Sequence, residues 1–474
     1  MFETETMTAL VAPCGAAGVA PGPGEIVARL PPQPKTVSDT GLELSLLVEL
    51  AAKTMYAVGK MHLPVLMGKM RLSFSVLREV LGFMVAEQIV EVALRGDSDL
   101  DVHYQLTATG KLRAAEYLAR CRYVGAAPVT LHAYRELVLR QSQRQARVNR
   151  VGAAELAAAF CDDGLDASVR ELIGAALQSG RSLMLHGPSG SGKSTLARKL
   201  GQLQCGLVAT PYAILVDHDI VQFHDPLLHP APLQLRQAED RRSSDSRWAL
   251  CQRPVVQVGA DLSAEMLDLR HDKAGGVYHA PPHFLANNGM LVVDDLGRQR
   301  IAAAQLLNRW SGPLDSGTDQ LTIEGGHKIS VPFDVTLVLV THRAPHDLLD
   351  ESAMRRVGYK IHIGALSEAG YRGLFRGQCL LSGLECDEGV LAHLIDVLHG
   401  GGGPPLLASY PRELIERIAD FASFAGAAPR LTIGALEQAW TSLLAGEGGA
   451  SAARSSAHPV PYFVAAGDPL SETI

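Results

Sequence analysis

Three things are missing from this sequence, and each removes a class of function. Its 43 Lys and Arg are outnumbered by 50 Asp and Glu, for a formal charge of −7. No general attraction to nucleic acid is therefore built in, and only a local basic patch would supply one. Its seven cysteines run from Cys14 to Cys386 without C-x-x-C spacing, which argues against a disulfide framework and a cysteine zinc site and fits a reducing compartment. No apolar run reaches the length of a membrane span. The opening Met1-Phe2-Glu3-Thr4-Glu5 is acidic, where a secretory signal is basic. A cytoplasmic protein is expected, without internal repeats.

What is present organises itself around one stretch. Leu183-Met184-Leu185-His186 reads as a strand, and it runs into Gly187-Pro188-Ser189-Gly190-Ser191-Gly192-Lys193-Ser194-Thr195, followed by a helix-forming segment. The turn satisfies G-x-x-x-x-G-K-[ST] in its required strand–turn–helix setting. Glycines let successive N–H groups converge on phosphate oxygens, and the helix adds the positive end of its dipole. Lys193 would reach the β- and γ-phosphates and Ser194 would ligate Mg²⁺. A chance glycine-rich turn is the plain alternative. A second motif, Gly289-Met290-Leu291-Val292-Val293-Asp294-Asp295, is an apolar strand ending in carboxylates, the Walker B pattern. Asp294 would hold Mg²⁺ and Asp295 would act as the base that polarises water.

At 474 residues the chain is too long for one core. Residues 1–38, rich in Pro, Gly and Ala, read as a disordered leader. Residues 39–124 read as helix, helix, helix, hairpin, helix, the order of a winged helix-turn-helix, with Ser73 as an N-cap. The third helix, residues 74–87, offers little beyond Arg78, and the wing carries Asp97, Asp99 and Asp101. Docking to protein is favoured over reading DNA on these charges. Residues 125–153 read as a linker that becomes helical, with Arg140, Arg144 and Arg147 on one solvated face. Residues 154–365 form the nucleotide-binding α/β domain, 366–446 a helical lid, and 447–474 a disordered tail. Residues 347–356 are predicted as one helix ending in Arg355-Arg356, and Pro411 is well placed to start another. His218, His224 and His229, with Asp217, Asp219 and Asp225, match no standard metal spacing and read as surface loop.

Walker A, Walker B, a polar strand end at Thr341-His342 and an arginine pair, followed by a helical lid, is the order found in AAA+ ATPases. His283-Phe284-Leu285-Ala286-Asn287-Asn288-Gly289 resembles the MoxR-like branch and its magnesium-chelatase-like relatives. More closely, the chain is similar to bacterial ATPases credited with chaperone-like activity, through residues 123–129 (Tyr-Val-Gly-x-Ala-Pro-Val) and 350–361 (Asp-Glu-x-x-x-Arg-Arg-x-x-Tyr-Lys-Ile). The resemblance implies an α/β P-loop core, ATP and Mg²⁺ as ligands, and ATP hydrolysis. It puts Thr341-His342 at sensor 1, Arg355 or Arg356 at a finger acting on a neighbouring copy, and Arg412 at sensor 2. A homo-oligomeric ring remodelling a protein client is the implied activity. An ATP-controlled DNA-binding regulator and a small-molecule P-loop kinase are the rivals. Two departures bear on hydrolysis rate and leave binding untouched: Asp295 stands where Glu is usual, and His342 where Asn is usual. The long interval between Lys193 and Asp294 predicts an inserted hairpin or loop between residues 212 and 282.

Overall fold

The computed structural model describes residues 30–142, 151–204, 206–232 and 244–444. The chain divides into two compact units, Met1–Gly370 and Tyr371–Ile474.

The first unit begins with a small helical module. Helices Leu44–Val58, Leu63–Met70, Phe74–Ala86 and Ala108–Arg120 surround strands β1 (Met61–His62), β2 (Val90–Arg95) and β3 (Val102–Leu106). The strands form an antiparallel sheet in the order β1-β3-β2. Leu47, Leu50, Met55, Val76, Leu77, Val80 and Met84 recur at helical spacing and fill one core. The Ser73 hydroxyl accepts from the Val76 amide and starts the third helix, while donating to the Pro34 carbonyl at 2.6 Å.

That last bond corrects the leader. Its described end, from residue 30, is packed: Val37 is buried and Pro32 pairs with Ser244. Residues 1–29, and the tail from 445, lie outside the described residues. The expected linker is likewise woven into the fold. Its strand β4 (Val129–Thr130) joins a sheet, and helix Leu131–Gln141 buries Tyr134, Leu137 and Val138. Arg140 is exposed and pairs with Glu136, whereas Arg144 and Arg147 lie outside the described residues.

The central sheet comprises β5 (Leu183–His186), and, beyond an excursion, β10 (Val255–Val258), β13 (Gly289–Val293), β16 (Val335–Thr341) and β17 (Tyr359–His362). All five are parallel, in the order β10-β13-β16-β5-β17. Alternate residues serve two cores. Met184, Leu291, Val293, Leu337 and Leu339 face one, and Leu185, Met290, Val292, Val338 and Val340 the other. Burial on both faces explains why these strands read as continuous apolar runs. The fold class is the expected one, α/β with a parallel P-loop sheet.

The surplus between Lys193 and Asp294 builds a second layer. Strands β6 (Leu207–Pro211) and β9 (Trp248–Gln252) pair with each other. Strands β7 (Ala213–Val216), β8 (Asp219–Gln222), β11 (Arg270–Asp272) and β12 (Val277–His279) join β4 in the order β11-β12-β8-β7-β4. A further hairpin, β14 (Thr318–Thr322) with β15 (Lys328–Pro332), precedes β16.

The second unit is helical in its described part. Helices Tyr410–Phe424 and Ile433–Leu444 pack together, with Pro411 in the first turn as expected. His399 sits among Tyr371, Tyr410 and Trp440. Its Nδ1 faces the Pro404 carbonyl, which can only accept, so Nε2 accepts from the Tyr371 hydroxyl at 3.0 Å. Among the described residues, no helix is long and apolar enough to cross a membrane.

Candidate phosphate and cation site

The site forms where β5 ends, beside β16. In strand order this is the point where neighbours along the chain part company, and where open α/β sheets leave a crevice. Gly187 must be glycine: a Cβ there would lie 2.1 Å from the Ile363 carbonyl oxygen, and its φ is +144°. Gly192, at φ +89°, turns the chain into helix Lys193–Gln202. In this loop Gly187 and Ser191 are buried, while Pro188, Ser189 and Thr195 are exposed at the rim.

Lys193 is buried, its ammonium donating to the Pro188 carbonyl at 2.7 Å and the Ser191 hydroxyl at 3.3 Å. Burial lowers its pKa, and Asp295 and Asp294 oppose the shift. A buried ammonium held by two neutral acceptors is a cation with capacity left for an anion. The Ser194 hydroxyl donates to Asp294 Oδ1 at 2.9 Å, across 100 residues of sequence. The other Asp294 oxygen accepts from the Gln257 amide at 3.2 Å. Hydroxyl and carboxylate oxygens brought together beside an ammonium suit a hard divalent cation and a phosphate chain. ATP with Mg²⁺ fits this donor set.

Asp295 is exposed and sits in the left-handed region at φ +52°. Its amide donates to Asp294 Oδ1 at 3.0 Å, so one carboxylate oxygen fixes both Ser194 and the turn after β13. The Gln299 side chain closes that turn, donating to the Asp294 carbonyl at 2.7 Å and accepting from Gly297. Neither Gln257 nor Gln299 belongs to a recognisable sequence motif. Gln257 had a signal, being the polar residue in the otherwise apolar strand Val255–Val258.

The polar end of β16 splits in two. Thr341 is fully buried opposite His186, and its hydroxyl donates to the Leu296 carbonyl at 3.0 Å. His342 is exposed. The arginine pair lies elsewhere, at the start of β17, where the Gly358 amide meets the Ser182 hydroxyl that precedes β5. That is the end of β5 remote from the phosphate loop. The expected single helix before it is two, Pro345–Leu348 and Glu351–Arg356, because the Asp350 carboxylate accepts from the Ala353 amide and caps a new start. Arg355 is exposed and pairs with Glu351. Arg356 is tied down by Asp315 at 2.9 Å and the Ser352 hydroxyl at 2.6 Å. Both line a recess of about 590 Å³ with Arg181 and Asp315. Arg412 belongs to the second unit, exposed and paired with Glu416.

Of the three histidines read as surface loop, His218 is exposed in the turn between β7 and β8 as expected, His224 is half-buried, and His229 departs from that reading. His229 is buried, with the Asp225 amide on Nδ1 and the Leu285 carbonyl at Nε2. Among the described residues they bring no three ligand atoms together; a different trio, His62, Asp101 and His103, has ligand atoms within 4.8 Å of one another.

Residues 367–442 match a family described as a domain of unknown function, DUF8689. No curated protein matches the chain. Among solved structures, the chain is similar to the Holliday junction branch migration motor RuvB of Thermotoga maritima, at 15% identity over 59% of this chain and 70% of that one, with a TM-score of 0.33. It is also similar to NtrX from Brucella abortus, at 15% identity over 57% of this chain and 53% of that one, with a TM-score of 0.37. The chain thus spans about half the length of NtrX.

Proposed function

We propose that the protein is an AAA+-type ATPase that binds ATP with Mg²⁺, hydrolyses it in an assembly of identical copies, and uses the cycle to remodel a protein partner. The observation that carries this is the meeting of Ser194 and Asp294 at 2.9 Å beside buried Lys193. A strand end and a loop from distant parts of the chain converge on one cation-and-phosphate donor set.

In this reading the backbone N–H groups of the loop from Gly187 to Thr195, Pro188 excepted, and the Lys193 ammonium hold the phosphates, and Ser194 and Asp294 hold Mg²⁺. The bound ion supplies neutralisation of charge on the β- and γ-oxygens. Asp295 accepts the proton of the attacking water. Asp295 has one methylene less than the usual glutamate, and its backbone sits in the left-handed region at φ +52°. Thr341 anchors the turn after Walker B, leaving exposed His342 as the side chain that faces the γ-phosphate. Arg355 is the finger offered to a neighbouring copy, since it lies at the far end of β5 from its own phosphate loop. Arg356 braces that helix, and Arg412 takes the sensor 2 role. The small-molecule kinase reading would need Arg355 and Arg356 within reach of their own loop.

The winged-helix-like module, residues 39–124, is the proposed docking surface. Phe83, Val85, Val92 and Leu94 are exposed there, and Arg78 stacks on Phe74. Apolar exposure of this kind suits a protein surface better than phosphates.

The test is calorimetric and kinetic. ATP with Mg²⁺ raises the melting temperature of the wild type and is turned over, and Asp294→Ala removes the Mg²⁺-dependent part of both. An equal ATP-induced shift in Asp294→Ala would sink the assignment. Submicromolar, steeply salt-dependent binding to duplex DNA would favour the regulator reading instead.

A further inference from the structure

We propose that His62, Asp101 and His103 form a binding site for a divalent transition metal of the zinc class, at the wing of the N-terminal module. This inference is independent of the ATPase reading.

The site is built by strand pairing. His62 of β1 lies directly opposite His103 of β3, and their rings stack with centroids 4.5 Å apart and planes 20° apart. Asp101 enters β3 from the β2–β3 turn, which is closed by the Gly96 amide donating to the Asp101 carbonyl and the Asp101 amide donating to Ser98. Gly96 leaves room for the carboxylate: a Cβ there would lie 1.9 Å from Asp101 Oδ2. One ligand atom from each of the three residues falls within 4.8 Å of the others.

The second observation is unmet bonding capacity. His62 Nε2 and His103 Nδ1 are both shielded from solvent and have no hydrogen-bond partner. His62 Nε2 stands 3.3 Å from Asp101 Oδ1, an ion-pair distance without the alignment of a hydrogen bond. Two shielded ring nitrogens left unsatisfied in one small module are costly, and a metal ion would satisfy both.

Two imidazoles and a carboxylate, with a fourth position open to water, are a zinc donor set, with bonds of about 2.0–2.2 Å. The oxygen-only preference of Mg²⁺ excludes it here. The half-exposed Asp101 can close the remaining distance by a change of rotamer. Asp97 and Asp99 add negative potential on the same turn, partly offset by Arg95, which lies 3.9 Å from Asp99. A bound ion would tie the wing to β1 and so to the start of helix Leu63–Met70.

The experiment uses the full chain after chelator treatment. Titration calorimetry with ZnCl₂ should show one tight equivalent per chain. Asp101→Asn and His103→Gln should each weaken it by about a hundredfold, as loss of one of three ligands implies. Circular dichroism checks that the variants fold, and Gly96→Ala, which displaces the Asp101 carboxylate without touching a ligand, should also weaken binding. Co²⁺ substitution separates this site from cysteine: its spectrum should lack thiolate charge-transfer bands, and Asp294→Ala should leave it unchanged. No binding by the wild type, equal binding in folded Asp101→Asn and His103→Gln, or thiolate bands on the tight equivalent would each overturn the proposal.

Discussion

Two buried cations show the difference between a strut and a site. Arg247 is buried with Asp245, and its guanidinium donates to both carboxylate oxygens and to the carbonyls of Thr40 and Pro128. Those carbonyls lie 207 and 119 residues away in sequence, so one side chain ties the N-terminal module and the residue before β4 to the start of β9. Its charge is answered and nearly all its donors are used. Lys193 is as well buried, yet its direct partners are a carbonyl and a hydroxyl, and burial lowers its pKa. The strut is saturated, and the cradle holds charge in reserve for a ligand.

The comparison breaks most sharply on ligand response. Lys193→Ala should abolish the ATP-induced melting shift while leaving the apo protein about as stable, because it removes a cation whose burial is costly. Asp295→Asn should keep the shift and lose turnover. A Lys193→Ala protein that still melts later with ATP would show that the cradle does not need its cation.

Next in size is the arginine pair. Arg355→Ala should slow steady-state hydrolysis by about a thousandfold, the usual worth of a finger. Arg356→Ala should cost less in rate and more in stability, because Arg356 is braced by Asp315 and Ser352. Mixing Arg355→Ala chains with Lys193→Ala chains should partly restore turnover. Unchanged specific activity on dilution to monomer would contradict action between copies.

The strut itself supplies the third test. Arg247→Ala strands the buried Asp245 carboxylate and should cost about 3–5 kcal/mol in denaturant unfolding. Its ATP-induced shift should survive, so the two cations would fail in opposite ways. Loss of both stability and shift would mean that strut and cradle are coupled.

These contrasts also explain what the sequence could reveal. The phosphate loop and the Asp294 strand are local patterns whose neighbours in sequence are their neighbours in space. The third helix and its Ser73 cap were legible for the same reason. Arg247 was not, since its meaning depends on Thr40 and Pro128. Nor was the His62–His103 pair, which exists only through antiparallel register. Val129–Thr130 read as linker because a two-residue parallel strand leaves no periodicity to detect. The helix over 347–356 was misjudged because a capping aspartate inside a helical pattern also reads as an ordinary polar position.

The smallest effect concerns acid. His224 is held down to about 4, first by burial and then by His229 and Arg71, with Asp225 opposing. It packs beside Tyr212 and His229. Burial likewise lowers His229 and His283, the latter against the opposing Asp319. A neutral imidazole in the native state takes up its proton less readily than in the unfolded chain, where the ordinary value is 6.5. The stability it contributes is therefore full above that value and is lost as the pH falls toward about 4. His224→Gln keeps a planar polar side chain and removes the titration. Melting temperature measured from pH 7.5 to 4.5 should fall less steeply in this variant than in the wild type, without becoming flat, because His229 and His283 still titrate. His224 stands on the strut side of the comparison, so saturating ATP with Mg²⁺ should raise both curves and leave the difference between them unchanged. Parallel wild-type and variant curves would mean that His224 takes up its proton equally readily in the folded and unfolded chain, so that burial does not hold it down.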